Sequence, residues 1–238
     1  MENSLKHLVT SFVIAVVAGL AAPAPAQDAA PPAGNINPPV LEVNGQQVYA
    51  AEISMVMRNI AAQYGEGEQA PTDQQLLQMA TQRVVEEKLL AQEARRFGVE
   101  NDAAWVAKML ETAEQQAGGH EALEANLARI GSNYEQLSEM VTEMDLVRIF
   151  IEHKIVPTIE VTDEEVAAFY DEHPDVFNPD GTQTLDNAAP RIRKIITQQK
   201  TAQAVGELLE SLSQEAEIKQ LTPEAAGSEN VGPESVPE

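Results

Sequence analysis

Histidines and carboxylates are the first residues to test for chemistry, because the chain has no cysteine and therefore neither a thiolate nucleophile nor a thiolate metal ligand. Beyond the N-terminal segment the histidines are His120, His153 and His173, and none has a second histidine at metal-ligand spacing. Asp171-Glu172-His173 is the densest set of potential ligands, yet acids and a polar stop are ordinary at a helix end, so it reads as solvated surface. Glu86-Glu87 and Glu164-Glu165 are adjacent carboxylates, but neighbours on a helix point away from each other and make no acid/base pair. Gly65-Glu66-Gly67 lacks the lysine and hydroxyl of a phosphate loop and sets an acid where the phosphate would lie, which makes it a turn. There is no Gly-x-Ser-x-Gly elbow. The expectation is a protein with no catalytic residues, no cofactor and no metal.

The elements must then position something other than chemistry. Residues 1–26 read as a secretory signal peptide: Lys6 precedes a run from Leu8 to Ala22, and Ala24-Pro25-Ala26 offers a cleavage site after Ala26. That run is shorter than the roughly 20 residues of a spanning helix, and nothing later in the chain approaches that length. An uncleaved anchor is the alternative. A Gram-negative periplasm is the compartment expected, with no membrane span after cleavage. Lys+Arg 15 against Asp+Glu 38 gives a net charge of -23, which repels nucleic acid and anionic lipid and excludes both as partners. Residues 27–39 and 221–238 are rich in Pro, Gly and Ala with little to bury, and are expected to be a disordered linker and a disordered acidic tail. Low aromatic content, 4%, points to a core of aliphatic residues, methionine and alanine in packed helices.

Periodicity assigns the rest. Val40–Val43, Asn44-Gly45 and Gln46–Tyr49 spell a hairpin with a tight turn. Ile53, Val56, Met57 and Ile60 mark a helix from Ala51 to Tyr64 that Gly65 stops. Thr72 and Gln75 form a capping box for a long helix closed by Gly98. Its apolar residues fall on three neighbouring arcs: Leu77, Ala80, Val84 and Ala91; Leu76, Met79, Leu90, Ala94 and Phe97; Val85 and Leu89. So wide an arc makes it the central helix. Helices 103–117 and 121–130 follow, and Ser132 with Glu135 is read as the capping box of a helix reaching Ile155. Thr162 and Glu165 cap a short helix that must end at His173-Pro174. Asn187–Ala216 is one long helix with Ile192, Ile195, Ala202, Val205, Leu209 and Leu212 inward; it must fold back, since it cannot bury its stripe on itself.

This order carries a resemblance. Val43-Asn44-Gly45, the helix containing Val84 to Ala94 closed by Phe97-Gly98-Val99, and Leu127 to Gly131 followed by Tyr134 to Leu137 resemble the N-terminal domain of SurA-type periplasmic chaperones. Val161 to Val166 with Phe169-Tyr170 and Phe177 looks like the connector that in SurA, PpiD and PrsA relatives leads into a parvulin prolyl isomerase domain. Arg191 to Ile218 is similar to their C-terminal helix. The resemblance implies a mainly α, trigger-factor-like chaperone module with a short N-terminal β-hairpin and a long C-terminal helix packing back. Its parts would be a helical domain over 40–177, a connector over 178–186 where the parvulin domain is expected, and a completing helix over 187–220. No catalytic residue carries over, because no position matches.

The function expected is an ATP-independent periplasmic holdase without isomerase activity, whose partners are unfolded polypeptides, outer-membrane protein precursors among them. Unbranched, polarizable methionines suit adaptable binding, so Met57, Ile60, Met109, Leu110, Met140 and Met144 are the expected client-binding residues, on helix stripes that could line one cradle. Core filling is the competing role for each methionine. An envelope adapter with one defined partner, or an isomerase relative with residual activity, are the competing functions.

Overall fold

The computed structural model describes residues 37–64, 70–178 and 182–221. The expected signal peptide (residues 1–26), residues 27–36 of the expected linker, the expected Gly65-Glu66-Gly67 stop and residues 222–238 lie outside them. Strands β1 (Pro39–Val43) and β2 (Gln46–Tyr49) form the hairpin, with Asn44 at φ 52° and Gly45 at φ 84° supplying the two left-handed residues of the turn. Asn37 belongs to the fold and not to a linker. Its side chain is buried, accepts the Ala51 N–H at 2.8 Å and donates to Gln136 at 3.1 Å, which ties the chain's entry to two helices.

Helices α1 (Ala50–Tyr64) and α2 (Asp73–Arg96) pack along each other, and α2 also meets the later helices α5 and α8 and strand β1. It is the central helix, as its apolar arc requires. The Thr72/Gln75 capping box is present. Burial along α2 is uneven, however. Leu76, Ala80 and Val84 are covered in the first half, whereas Leu77 and Met79, expected inward, are exposed; from Lys88 to Ala94 nearly every side chain is enclosed. Phe97, also expected inward, is half exposed against Phe150.

Helices α3 (Ala103–Ala117), α4 (His120–Arg129) and α5 (Tyr134–Phe150) enclose one core around Leu123, Leu127 and Leu137, with Met55 reaching in from α1. The cap of α5 differs from the expected Ser132/Glu135 box. Asn133 accepts the Gln136 N–H at 2.9 Å, and Ser132 Oγ instead donates to the Gln136 side chain at 3.1 Å. The helix widens into a π-helical turn (Ile151–Ile155) and then tightens into a 3-10 turn (Val156–Thr158) that contains Pro157 and ends it. Helix α6 (Asp163–Glu172) has its Thr162/Glu165 box, α7 (Pro174–Phe177) is a single turn, and residues 178–184 lead into α8 (Leu185–Glu215).

α8 is about 46 Å long at 1.5 Å per residue and belongs to three cores in turn. Ala188, Ile192 and Ile196 pack with α6 and α7; Ala204, Val205 and Leu208 pack beside Ala94, Leu146 and Phe150; Leu209, Leu212 and Ala216 pack on the hairpin and α1. Ala202, expected inward, faces solvent, and Thr201 is buried one position earlier. The helix does not run on to residue 220. After Glu215 the chain extends, and β3 (Ile218–Gln220) pairs antiparallel with β1, giving sheet order β2-β1-β3.

Candidate functional site

A shallow cleft, open to solvent and with a cavity volume of only about 20 Å³, lies where the hairpin, α1, α2 and α5 converge, lined by Gln47, Tyr49, Glu52, Met55, Lys88, Ser132, Gln136, Glu139 and Met140. Its floor is a buried charge cluster. The Lys88 ammonium lies 2.6 Å from Glu143 Oε2 and 2.9 Å from Glu52 Oε1, with 5% of its side chain exposed. Glu143 Oε1 also accepts from Gln46 and, at 3.0 Å, from Arg95. Gln92 adds a bond to the Val43 carbonyl at 3.0 Å, so the cluster stitches the hairpin turn to α2 and α5. Each ion is satisfied, which a charge taken from water requires.

The cluster splits its two acids. Burial would push Glu143 up, but Lys88, Gln46 and Arg95 together hold its carboxyl below the ordinary range. Burial dominates at Glu52: Lys88 opposes it, Glu143 and Glu139 crowd it, and its carboxyl is raised. Lys88, pushed down by burial and up more strongly by Glu52 and Glu143, is held above the ordinary lysine value. A lysine kept protonated between two carboxylates is a clamp with no lone pair to act as a base.

A second cluster is structural as well. Asp145 accepts Arg148 at 2.6 Å and the Asp102 backbone N–H at 2.6 Å, while Arg148 reaches Glu152 at 2.8 Å and lies over the Trp105 ring. Among the described residues no group of three His, Asp or Glu is placed to hold a metal ion, and His120 is partnered by Glu114 at 2.8 Å.

The six expected client-binding residues do not share one cradle. Leu110, Met140 and Met144 are buried in the core of α3, α4 and α5, with Met109 half-buried against it. Met57 and Ile60 are half-buried against the separate core of the hairpin, α1 and α2. The burial corrects Leu110 and Met144, which are core filler with too little surface to meet a client. Met140 is buried too, yet one side of it lines the cleft. Stripe position gave both groups the same weight, because an apolar residue that faces a partner helix and one that faces a groove have the same period.

Accessible apolar surface lies elsewhere. Tyr64 at the end of α1 is 51% exposed and Leu77 in the first turns of α2 is 50% exposed, with Met79 beside them in sequence. The residues flanking them on these two helices are mostly neutral, Gln63, Gln74, Gln75, Gln78 and Gln82 among them. The sequence signal was present as apolar residues on too many arcs of α2. Leu77 and Met79, two positions apart on α2, point to nearly opposite sides of that helix, so the three are separate exposures of a kind normal on a protein surface.

The model of the SurA-like N-terminal domain family matches residues 1–149, which takes in the hairpin, α1 to α4 and α5 to within one residue of its end. No curated protein matches the chain. Among the described residues no helix is long and apolar enough to cross a membrane.

Proposed function

The chain belongs to the SurA-like N-terminal domain family, and from that premise we propose that it is an ATP-independent periplasmic holdase that binds unfolded polypeptides, outer-membrane protein precursors among them, without isomerising them. The protein reaches that compartment through a signal peptide cut after Ala26. The observation that carries the reading is the family match over residues 1–149, and exposed apolar side chains at Tyr64, Leu77 and Met79 on a strongly acidic protein support it. Contacts of this kind are weak singly and adaptable together, which suits clients without fixed structure. The cleft beside Tyr49 adds a second, partly polar contact through Gln47, Tyr49 and Gln136.

Light scattering of a chemically unfolded client diluted into buffer tests this. The mature protein at modest molar excess suppresses aggregation, and Leu77→Ser with Met79→Ser reduces that suppression while changing stability by less than about 0.5 kcal/mol, as surface substitutions do. Aggregation that proceeds unchanged in the presence of the wild-type protein rejects the proposal.

A further inference from the structure

The sheet has one well-anchored strand and one loosely held neighbour. β1 buries Leu41 and Val43 in the core, whereas all three residues of β3 are exposed, Ile218 at 47%. β3 is held by its backbone. The Asn44 N–H donates to the Glu217 carbonyl and the Leu221 N–H to the Val40 carbonyl, both at 2.9 Å. These two bonds mark hydrogen-bonded positions of the ladder, so the Glu42/Lys219 pair midway between them is another. Side chains add one bond at its start, where Asn44 Oδ1 accepts the Glu217 N–H at 2.8 Å, and beyond it only exposed ion pairs of little weight, Lys219 reaching Glu42 at 3.3 Å and Glu217 at 3.1 Å.

We propose that β3 is a displaceable latch, and that the outer edge of β1 is a docking edge on which an extended segment of a client pairs with residues 40–44 in its place. This rests on the holdase reading above. The register sets the chemistry of the occupant. Gln220 faces Leu41, Ile218 faces Val43 and Lys219 faces Glu42. Gln220 and Ile218 lie on the face of the sheet that carries Leu41 and Val43 but stay exposed at its edge, and Lys219 lies on the opposite face with Glu42. An antiparallel segment reading apolar, basic, apolar keeps a cation on Glu42 and sets an apolar side chain where β3 has the polar Gln220. The protein's own strand is thus a poorer side-chain match than an alternating strand-forming client. Its advantage is that it is tethered, which makes the exchange reversible. Edge addition of this type takes affinity from main-chain bonds and selectivity from alternate side chains.

The absence of cysteine makes the latch testable in the full chain. Val40→Cys with Leu221→Cys introduces the only two thiols and leaves Glu42 in place, at a hydrogen-bonded pair whose expected Cα separation of about 5.5 Å is within disulfide range. Binding of a fluorescent peptide of alternating valine and lysine is measured by anisotropy. A peptide of equal charge with proline replacing alternate valines reports non-specific attraction. Oxidation is expected to weaken the alternating peptide about ten-fold relative to the reduced protein and to leave the proline peptide unchanged. Lys219→Pro removes a ladder donor and is expected to tighten binding of the alternating peptide. Equal affinity in the oxidised and reduced states overturns the latch, and aggregation suppression that persists there leaves the holdase reading standing. Redox-dependent peptide binding with no suppression of aggregation supports the latch and rejects the holdase.

Discussion

Lys88 is the residue on which the cleft depends. Replacing it with methionine, one atom shorter, removes the charge and leaves Glu52 buried without a cation and Glu143 with Arg95 alone; the expected cost is about 3–5 kcal/mol in urea denaturation near neutral pH. The sign of the pH dependence follows from the two acids. The carboxyl of Glu143 is held low, so its stabilisation is present above the ordinary carboxylate value and is lost as pH falls through its folded value. Glu52, held high, works in the opposite sense, favouring the fold when protonated. In the Lys88→Met protein both acids lose the charge that opposed their burial, so the gap to wild type narrows in acid as they take up protons. A gap that stays constant with pH shows that Lys88 acts only by packing. The lysine was in view as the end of Glu86-Glu87-Lys88, but its partners lie 36 positions before it and 55 after it, so local spacing gave no hint of the pairing. The same holds for Asp145, whose second ligand is a backbone N–H 43 positions away.

Helix ends were legible where the cap is local. The boxes at Thr72 and Thr162 needed only residues three apart, and both formed. The start of α5 offered two candidates in adjacent positions, and the structure chose Asn133 over Ser132 because Ser132 is buried and bonded to Gln136 while Asn133 has extended backbone. Asn133→Ala is therefore expected to cost about 1 kcal/mol in chemical denaturation through loss of the cap. A cost matched by Ser132→Ala and absent from Asn133→Ala contradicts the assignment. Strand β3 was illegible for a physical reason. Ile218-Lys219-Gln220 follows a 31-residue helix and is fully exposed, so neither alternation nor burial marks it; only the edge of β1, 177 positions earlier, makes it a strand. The hairpin was legible because Asn44-Gly45 demands its turn from two residues alone.

At the scale of the molecule, α8 is the member common to three cores, and its amphipathic stripe fixed that it packs back without saying on what. Each third of the helix meets a different set of partners, so no single face is continuous along it, and the expected inward Ala202 falls where one core gives way to the next. Interior residues were read well wherever one helix meets one neighbour, and poorly in the first turns of α2, where Leu77 and Met79, expected inward, are exposed.

The pairing of Leu41 with Gln220 brings almost the two extremes of the described chain together. A contact of such long span is slow to form, and until it forms the border of β1 stays bare in every refolding molecule. Two immature copies can then satisfy each other before either satisfies itself. Recovery of native protein after dilution from denaturant should consequently fall as concentration rises, with dimers and larger species taking the difference in size-exclusion chromatography, and a yield independent of concentration would mean that closure outpaces encounter.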